Sequence, residues 1–410
     1  MKKTLLILLL ETTSIVFSQS IDFVYRDSIL NQRSIQISSL NSFTTNSINN
    51  ELLSKFIYGG EITNEILSSN TQKEFNVLGG EADQSISYFE GSFLSNYPNL
   101  GLTASLSDIN FAAASYKSNL FDLAFRGNSP YIGDTLDLSF TRGHYMHYQN
   151  YGFGVYDKRT QSYVRLGFLV GNRSLRFQST ETYFHTSETA DNIYLDTDLV
   201  GYYTSTDSNS QYFTAQGYGF ALEVNHNFFI NTKSDKKHII NFNLSNLGSI
   251  FWNRNTQSVR LDTTYSFKGF EYSEVGSTSS IDQDFILDTL GIRFRKGSRR
   301  EALPIQIIIN KIPVYSLHQK WQSTFGFKAL LIPDYRPMLF GGVYYQPNKF
   351  FSLSTRAIIG GFGGLRFGFN ANLWLKENFY MGLSTLDIVG TSSDVFGKGK
   401  SVNVALQYNF

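Results

Sequence analysis

Long stretches of this chain alternate one apolar residue with one polar or small residue, and this period constrains the fold more than any other feature. In residues 217–225, aromatic and aliphatic side chains occupy every second position, with glycine, alanine, glutamate and asparagine between them. Residues 100–106, 164–170, 240–245 and 365–375 repeat the pattern. Successive side chains of a strand point to opposite faces, so the period indicates strands with one apolar face.

Two further features favour a membrane barrel over the alternative, a large soluble β-protein. The stretches run to about ten residues, which is enough to cross a bilayer at a tilt, whereas soluble strands average about five or six. Aromatic pairs such as Tyr344-Tyr345 and Phe379-Tyr380 mark strand ends, where outer-membrane barrels carry aromatic girdles. We therefore predict an all-β fold, a transmembrane antiparallel β-barrel of about 14 strands, within a range of roughly 12–16.

Composition excludes several other classes of protein. The net charge is +1, so no basic field for nucleic acid exists. The chain has no cysteine and therefore no disulfide. Beyond the first residues, no apolar run reaches the length of about 18 residues that a membrane-spanning helix needs. A barrel is compatible with this composition because its strands mix apolar and polar residues.

The first residues predict an exported protein. Lys2 and Lys3 precede the apolar run Leu5–Leu10, and a second apolar run ends at Ser18. This order is typical of a secretory signal peptide over residues 1–18, cleaved between Ser18 and Gln19. The expected destination is the outer membrane. A buried N-terminal strand or helix is the alternative, because Glu11 interrupts the apolar region.

One segment has helical rather than strand spacing. Between Ser47 and Asn70, apolar residues recur four positions apart and then resume after Gly59-Gly60. We expect an N-terminal segment over 19–83 that holds a helical plug or periplasmic cap at about 47–70, followed by the barrel over 84–410. Helices that merely close one end of the barrel are the alternative.

Turn chemistry predicts the connections. Gln346–Lys349 and Lys376–Asn378 are expected to form tight turns. The polar stretches Thr186–Asn192, Ser205–Ser210 and Gly276–Asp284 are expected to form longer outward loops. Short turns at one end and long loops at the other are typical of outer-membrane barrels.

The last residues indicate an assembly signal. Val402, Val404, Leu406, Tyr408 and Phe410 share one face of a predicted strand. A final strand with a terminal phenylalanine resembles the signal that the barrel assembly machinery reads. We therefore expect Tyr408 and Phe410 to be bound by that machinery before the barrel enters outer-membrane lipid.

No catalytic, cofactor or metal site is predicted. His144 and His147 lie three apart in a strand pattern, so they would face opposite sides. Asp196, Asp198 and Asp207 flank a probable loop without the spacing of a calcium loop. The cluster Gly360–Gly364 lacks the lysine-serine pair of a phosphate loop, and a sharp bend is the simpler explanation. The sequence does not exclude a serine hydrolase site whose residues come from several strands.

The polar face of the alternating strands supplies the candidate binding residues. It is expected to face the lumen. The lumen-facing candidates are Glu223, Asn225, Arg366, Asn370 and Asn372.

Four groups of residues, in their order along the chain, resemble a known family. They are Ser42–Asn46 with the helical segment and Gly59-Gly60, then Leu123–Asn128, Asn246–Asn253, and Tyr335–Pro337 with Gly360–Gly364. The family comprises uncharacterised outer-membrane barrels of Bacteroidota that form a domain of unknown function. Its layout is similar to FadL-type hydrophobic-solute barrels and to barrels that accompany type IX secretion. The resemblance implies a barrel and supplies no catalytic residues.

The expected function is that of a channel or transporter for a small or hydrophobic solute, without enzymatic activity or a cofactor. The alternative is a structural or assembly partner of an outer-membrane secretion or surface-protein complex. A lumen filled by side chains would favour the assembly role, and a continuous path would favour transport.

Overall fold

A computed structural model describes residues 24–26, 33–92, 96–204, 213–231, 237–268, 293–375 and 378–410. In chain order the strands are β1 Ser34–Thr45, β2 Phe75–Glu90, β3 Leu100–Lys117, β4 Thr135–Asp137, β5 Arg142–Asp157, β6 Ser162–Thr186, β7 Ile193–Tyr203, β8 Gly217–Asn231, β9 Lys237–Trp252, β10 Gln257–Phe267, β11 Arg295–Lys296, β12 Arg299–Ala302, β13 Gln306–Ile312, β14 Trp321–Leu330, β15 Arg336–Tyr345, β16 Phe351–Gly361, β17 Arg366–Leu375, β18 Phe379–Thr385 and β19 Gly399–Asn409. The helices are α1 Asn50–Tyr58, α2 Asn64–Ser69, α3 Ser118–Arg126 and α4 Ile388–Ser392.

The strands form a closed antiparallel barrel of 14 strands, which confirms the predicted fold class and strand number. The order around the ring is β1, β2, β3, β5, β6, β8, β9, β13, β14, β15, β16, β17, β18 and β19. The ring closes where β1 pairs with β19, from Ser34 opposite Asn409 to Thr44 opposite Gly399. The structure therefore corrects the expected barrel boundary at residue 84, because β1 and the first half of β2 are already strands of the wall.

The two ends of the barrel differ. Ser34 and Asn409 lie together at one end, here called the terminal end, which also carries the connections at 158–161 and 346–350. The turn expected at Gln346–Lys349 lies there. The opposite end, here called the loop end, carries the connections at 46–74 and 118–141. The predicted loop Thr186–Asn192 begins at the last residue of β6, away from the terminal end.

Several predicted features fall outside the described residues. They are the signal peptide over 1–18 with its cleavage site, the loops Ser205–Ser210 and Gly276–Asp284, and the first two residues of the turn at 376–378.

One strand continues past the ring. β6 has 25 residues, and only its first part, Tyr163–Gly171, pairs with β8. Its continuation pairs with β7, and β7 pairs with β10 over the whole length of both strands. These strands form a sheet extension at the loop end.

The two faces of the wall differ in polarity. On β17, Phe367 is 51% exposed, whereas Asn370 and Asn372, two of the predicted lumen-facing residues, are 2% and 1% exposed. Exposed aromatic and aliphatic side chains recur on the same outer face of β8, β14 and β15. Because the sheet is closed, the opposite face of each strand lines the lumen.

The helical segment lies outside the lumen, on the rim of the loop end. Leu52, Ile66 and Leu67 pack against Tyr116 and Phe121. Tyr116 lies on the outward face of β3, at an even-numbered position like the exposed Leu102 and Leu106. Because the segment packs on the outward face of β3, the expected plug in the lumen is wrong; since β1 starts at the terminal end, the connection to β2 lies at the loop end.

No helix in the described ranges is both long and apolar enough to cross a bilayer.

The closing strand gives a first prediction. Tyr408 and Phe410 are each half-exposed on the outer wall, and their rings stack with centroids 6.0 Å apart. Deleting Phe410 is expected to lower the amount of folded protein, because an outward aromatic end of the last strand is what the assembly machinery is expected to bind. Heat-modifiable gel mobility of outer-membrane fractions measures the folded amount. An unchanged amount, with Phe350→Ala as the control for loss of an exposed ring, would contradict the expectation.

Candidate functional site: a polar chamber in the lumen

The inward faces of the strands surround a polar chamber at mid-height. Its cavity volume is about 70 Å³. Its charged lining residues are Glu81, Asp83, Arg165, Glu223 and Lys328. Its uncharged polar lining residues are Ser85, Ser87, Ser107, Asn150, Ser245, Asn246, Gln306, Ser384 and Asn403. The chamber therefore offers both signs of charge and many neutral hydrogen-bonding groups.

A buried arginine and its partners form one wall of the chamber. Arg165 on β6 is 2% exposed, and its Nε and Nη2 donate to Thr103 Oγ1 at 3.0 and 2.7 Å. Its Nη1 lies 3.5 Å from Glu223 Oε2, and Glu223 Oε1 accepts from Tyr163 at 2.8 Å. The guanidinium carbon also lies 4.0 Å from the Tyr163 ring centroid. These contacts hold Arg165 in one position, as is usual for a buried charge.

A second ion pair crosses the chamber. Lys328 Nζ on β14 lies 3.1 Å from Glu81 Oε2 on β2. In the ring of 14 strands, β2 and β14 are seven steps apart, which is the largest separation possible. The two side chains therefore join opposite walls of the barrel.

The terminal end of the lumen is closed by residues 24–26. Tyr25 is fully buried; its backbone N–H donates to Pro313 O at 3.0 Å, and its carbonyl accepts from Tyr315 N at 2.8 Å. Across the mouth, its hydroxyl donates to Arg159 O at 3.0 Å. Val24 packs against Tyr344 and other inward aromatic side chains. These contacts place residues 24–26 inside the lumen, between the chamber and the terminal end.

The loop end of the lumen is closed by Phe362. Its ring packs with Val77, Phe111 and Leu330 on inward faces. Gly79 leaves the room for it, since a Cβ there would lie 2.3 Å from the ring. The chain turns inward at Gly360 and Gly361, whose φ angles of +94° and +70° favour glycine. The glycine cluster thus makes a sharp bend, as expected.

The connection between β14 and β15 reinforces this closure. Asp334 Oδ2 accepts from Arg142 Nη1 at 2.7 Å and from Ser115 Oγ at 2.8 Å. Arg142 starts β5 and Ser115 lies on β3, so the connection spans the mouth of the barrel to the far wall.

The buried carboxylate of Glu301 links five strands on the loop-end side of the chamber. Glu301 on β12 is 3% exposed and accepts hydrogen bonds from Tyr202 at 2.6 Å, Ser174 at 2.7 Å and Trp252 at 2.7 Å. His144 Nε2 lies 3.0 Å from the same carboxylate. Burial, with the Glu301 carboxylate beside it, raises the pKa of Tyr202 above its ordinary value, so the hydroxyl stays protonated and donates. The cluster lies where β6 leaves the ring to pair with β7.

The five predicted lumen-facing residues do not form one site. Glu223 lines the chamber. Asn225 accepts from Asn241 at 2.8 Å, nearer the terminal end. Asn372 donates to Ser352 and accepts from Tyr380, also near that end. Arg366 donates to Gly360 O at 2.9 Å and supports the bend that carries Phe362. Asn370 lies buried between these two regions.

The other side chains considered for metal binding are apart from each other. His144 contacts Glu301, whereas His147 contacts Asp108 at 2.8 Å. Asp196 and Asp198 lie within β7 rather than in a loop, and Asp207 is outside the described residues. Within the described part of the chain, no group of three histidine, aspartate or glutamate side chains could hold a metal ion.

Sequence reasoning missed the residues that close the lumen. Val24 and Tyr25 lie before the first strand and bear no periodic pattern. Lys328 did carry a signal, since it interrupts the apolar run Phe325–Leu330 as a lone cation on the inward face.

Solved structures with a similar chain path are outer-membrane barrels. The toluene transporter TodX of Pseudomonas putida is 8% identical, with a TM-score of 0.41 and coverage of 92% of this chain and 89% of that one. The translocator domain of the autotransporter NalP from Neisseria meningitidis is 10% identical, with a TM-score of 0.33 and coverage of 92% and 88%. At these values the similarities establish no function for this chain. No curated protein matches it. The model of a family of unknown function, DUF5723, matches residues 30–384, and the chain belongs to that family.

Proposed function

We propose that this protein is an outer-membrane channel that passes a small polar solute through the central chamber and has no enzymatic role. The observation that carries the proposal is a polar chamber inside a closed barrel, with Tyr25 across the lumen at one end and Phe362 at the other. A barrel built only as a scaffold has no need for a lined cavity between two thin closures.

The outer wall supports the membrane location. Exposed side chains on β8, β14, β15 and β17 include Phe220, Phe325, Leu339 and Phe367. An apolar band on a closed barrel is the feature by which such proteins cross an outer membrane. Outer-membrane barrels usually have short turns in the periplasm and longer loops outside the cell. By this rule, the loop end would face the outside and the terminal end would face the periplasm.

The chamber supports a polar rather than a hydrophobic solute. A hydrocarbon would cover the carboxylates, cations and hydroxyl groups of the lining without replacing their hydrogen bonds with water, which is unfavourable. The chamber therefore suits a polar solute better than the hydrophobic solute that the sequence left open.

Removing both closures gives the test. Phe362→Ala with Tyr25→Ala deletes one ring at each end, so the double variant is expected to show steady conductance in planar bilayers where the unaltered protein opens rarely. Tyr97→Ala is the matched control, because Tyr97 is a tyrosine at the terminal end that is 63% exposed. A folded double variant that stays silent would overturn the proposal.

A second candidate function rests on the outer wall of β1 to β5. There, on the face that carries Leu106, Asp108 Oδ1 accepts from Gln149 at 2.9 Å and contacts His147, and Asn41 donates to Ser39 at 2.9 Å. Polar groups that face lipid are unfavourable, so this patch favours a protein neighbour and an assembly role. Copurification of a partner that is lost with Asp108→Leu would support that role instead.

A further inference from the structure

Four of the five charged side chains of the chamber form two pairs of opposite sign. Arg165 lies beside Glu223, and Lys328 lies beside Glu81. Asp83 lines the same space. A lining of this kind has no strong net field that would select an anion or a cation. It offers instead a cationic and an anionic group to the same small solute.

The Glu81–Lys328 pair is also placed as a barrier. It joins β2 to β14, which lie opposite each other in the ring, so a solute that crosses the chamber must pass the pair. Arg165 is held by Thr103 and Tyr163, whereas Lys328 has a long flexible side chain that donates a hydrogen bond to Glu81. Lys328 is therefore the group better able to move.

Opening the pair separates two charges that are largely buried. A solute with a single charge replaces only one partner and leaves the other charge unmatched, which is costly in a low-dielectric site. A solute with both a carboxylate and an ammonium group can replace both partners at once. Its carboxylate would take the place of Glu81 beside Lys328, and its ammonium group the place of Lys328 beside Glu81.

We propose that the chamber selects small zwitterions of the amino-acid type, with the Glu81–Lys328 pair as the selecting element. This inference rests on the proposed channel function and adds the class of solute. Neutral serine and asparagine side chains around the pair, such as Ser85, Ser384 and Asn403, supply hydrogen bonds without a preference for one sign.

Swelling of proteoliposomes tests the inference with four probes of similar size: alanine, lactamide, lactate and alaninamide. The full chain is used. Alanine is expected to enter about tenfold faster than neutral lactamide. One hydrogen bond to a charged group contributes enough free energy for a rate difference of about this size. Lactate and alaninamide, each with one charge, are expected to enter more slowly than alanine.

Glu81→Gln with Lys328→Met removes both charges together, so neither is left buried alone. In this double variant the rates for alanine and lactamide are expected to become equal, while lactamide still enters. Glu181→Gln, at an exposed position of β6, is the control that should keep the preference. Heat-modifiable mobility establishes that each variant is folded.

Equal rates for alanine and lactamide in the unaltered protein would overturn the zwitterion inference and leave the channel intact. A preference that survives in the Glu81→Gln, Lys328→Met variant would also overturn it. Failure of every probe to enter, even with Tyr25→Ala and Phe362→Ala, would instead contradict the channel function itself.

Discussion

Val404→Arg is expected to destabilise the folded protein in membranes by about 2–4 kcal/mol, the usual cost of an arginine on the lipid face near the bilayer midplane. Val404 is the middle residue of β19 and pairs with Leu383 on one side and Ser39 on the other, so no acidic side chain lies beside it in either register. The measurement is the free energy of unfolding in liposomes, from urea titrations followed by gel mobility.

Asn403→Arg is the matched control, because it places the same side chain one residue away on the opposite face. Asn403 lines the chamber, and Leu40, its partner on β1, is itself paired with Asp83 on β2. An arginine there therefore has a carboxylate within reach and empty space around it. We expect Asn403→Arg to cost clearly less than Val404→Arg. Equal costs, or the reverse order, would mean that the faces of β19 are wrongly assigned.

Adjacent residues on β17 are less suitable for this comparison. Asn370 is buried, and so are Arg356 and Arg366 on the same face. A further arginine at position 370 would meet like charges in a crowded region. The loss of stability would then reflect repulsion from these arginines and would not show whether position 370 faces the lumen or the lipid.

Alternation was sufficient to predict the fold class because each strand of a membrane barrel carries its own signal. On β8 and β17, every outward position that the pattern assigned is apolar, and the pairing registers agree with the assignment. Local sequence decides the face of a strand, and a closed ring of such strands follows from the need to pair every edge.

The start of the barrel was missed for a physical reason. The outward row of β1 contains Ser39 and Asn41, and its inward row contains Leu40. Both faces therefore mix polar and apolar residues in the half of β1 nearer the loop end. The alternation of apolar and polar residues cannot be recognised there. β1 is recognisable only through its partners, since it pairs along its length with both β2 and β19.

The site could be predicted only in part, because its contacts join residues far apart in the chain. Glu223 follows from alternation, but the closeness of Glu81 to Lys328 depends on the shape of the whole ring. Likewise, Tyr25 contacts Arg159 and Pro313, which lie far from it in the chain. Period and turn chemistry describe neighbours along the chain and contain no information about contacts across a lumen.

Glu301→Ala is expected to have the other large effect, a loss of roughly 3–5 kcal/mol in stability, because each buried donor left without an acceptor costs about 1–3 kcal/mol. The carboxylate accepts from Tyr202, Ser174 and Trp252 and contacts His144, and its removal leaves these donors buried without an acceptor. Glu181→Ala, on an exposed position of β6, is the control and should change little.

A double-mutant cycle separates the hydrogen bonds from simple loss of packing. Tyr202→Phe alone removes one donor at 2.6 Å from the carboxylate and should cost about 1.5–3 kcal/mol, as expected for a hydrogen bond to a charged group. In the Glu301→Ala background the same change removes an orphaned hydroxyl, so it should cost nothing or restore stability. Additive costs in the cycle would contradict the coupling and would mean that Glu301 acts by filling space. Coupling confined to Tyr202, with none for Trp252→Phe, would mean that the carboxylate anchors the β7 extension and leaves the ring of strands unaffected.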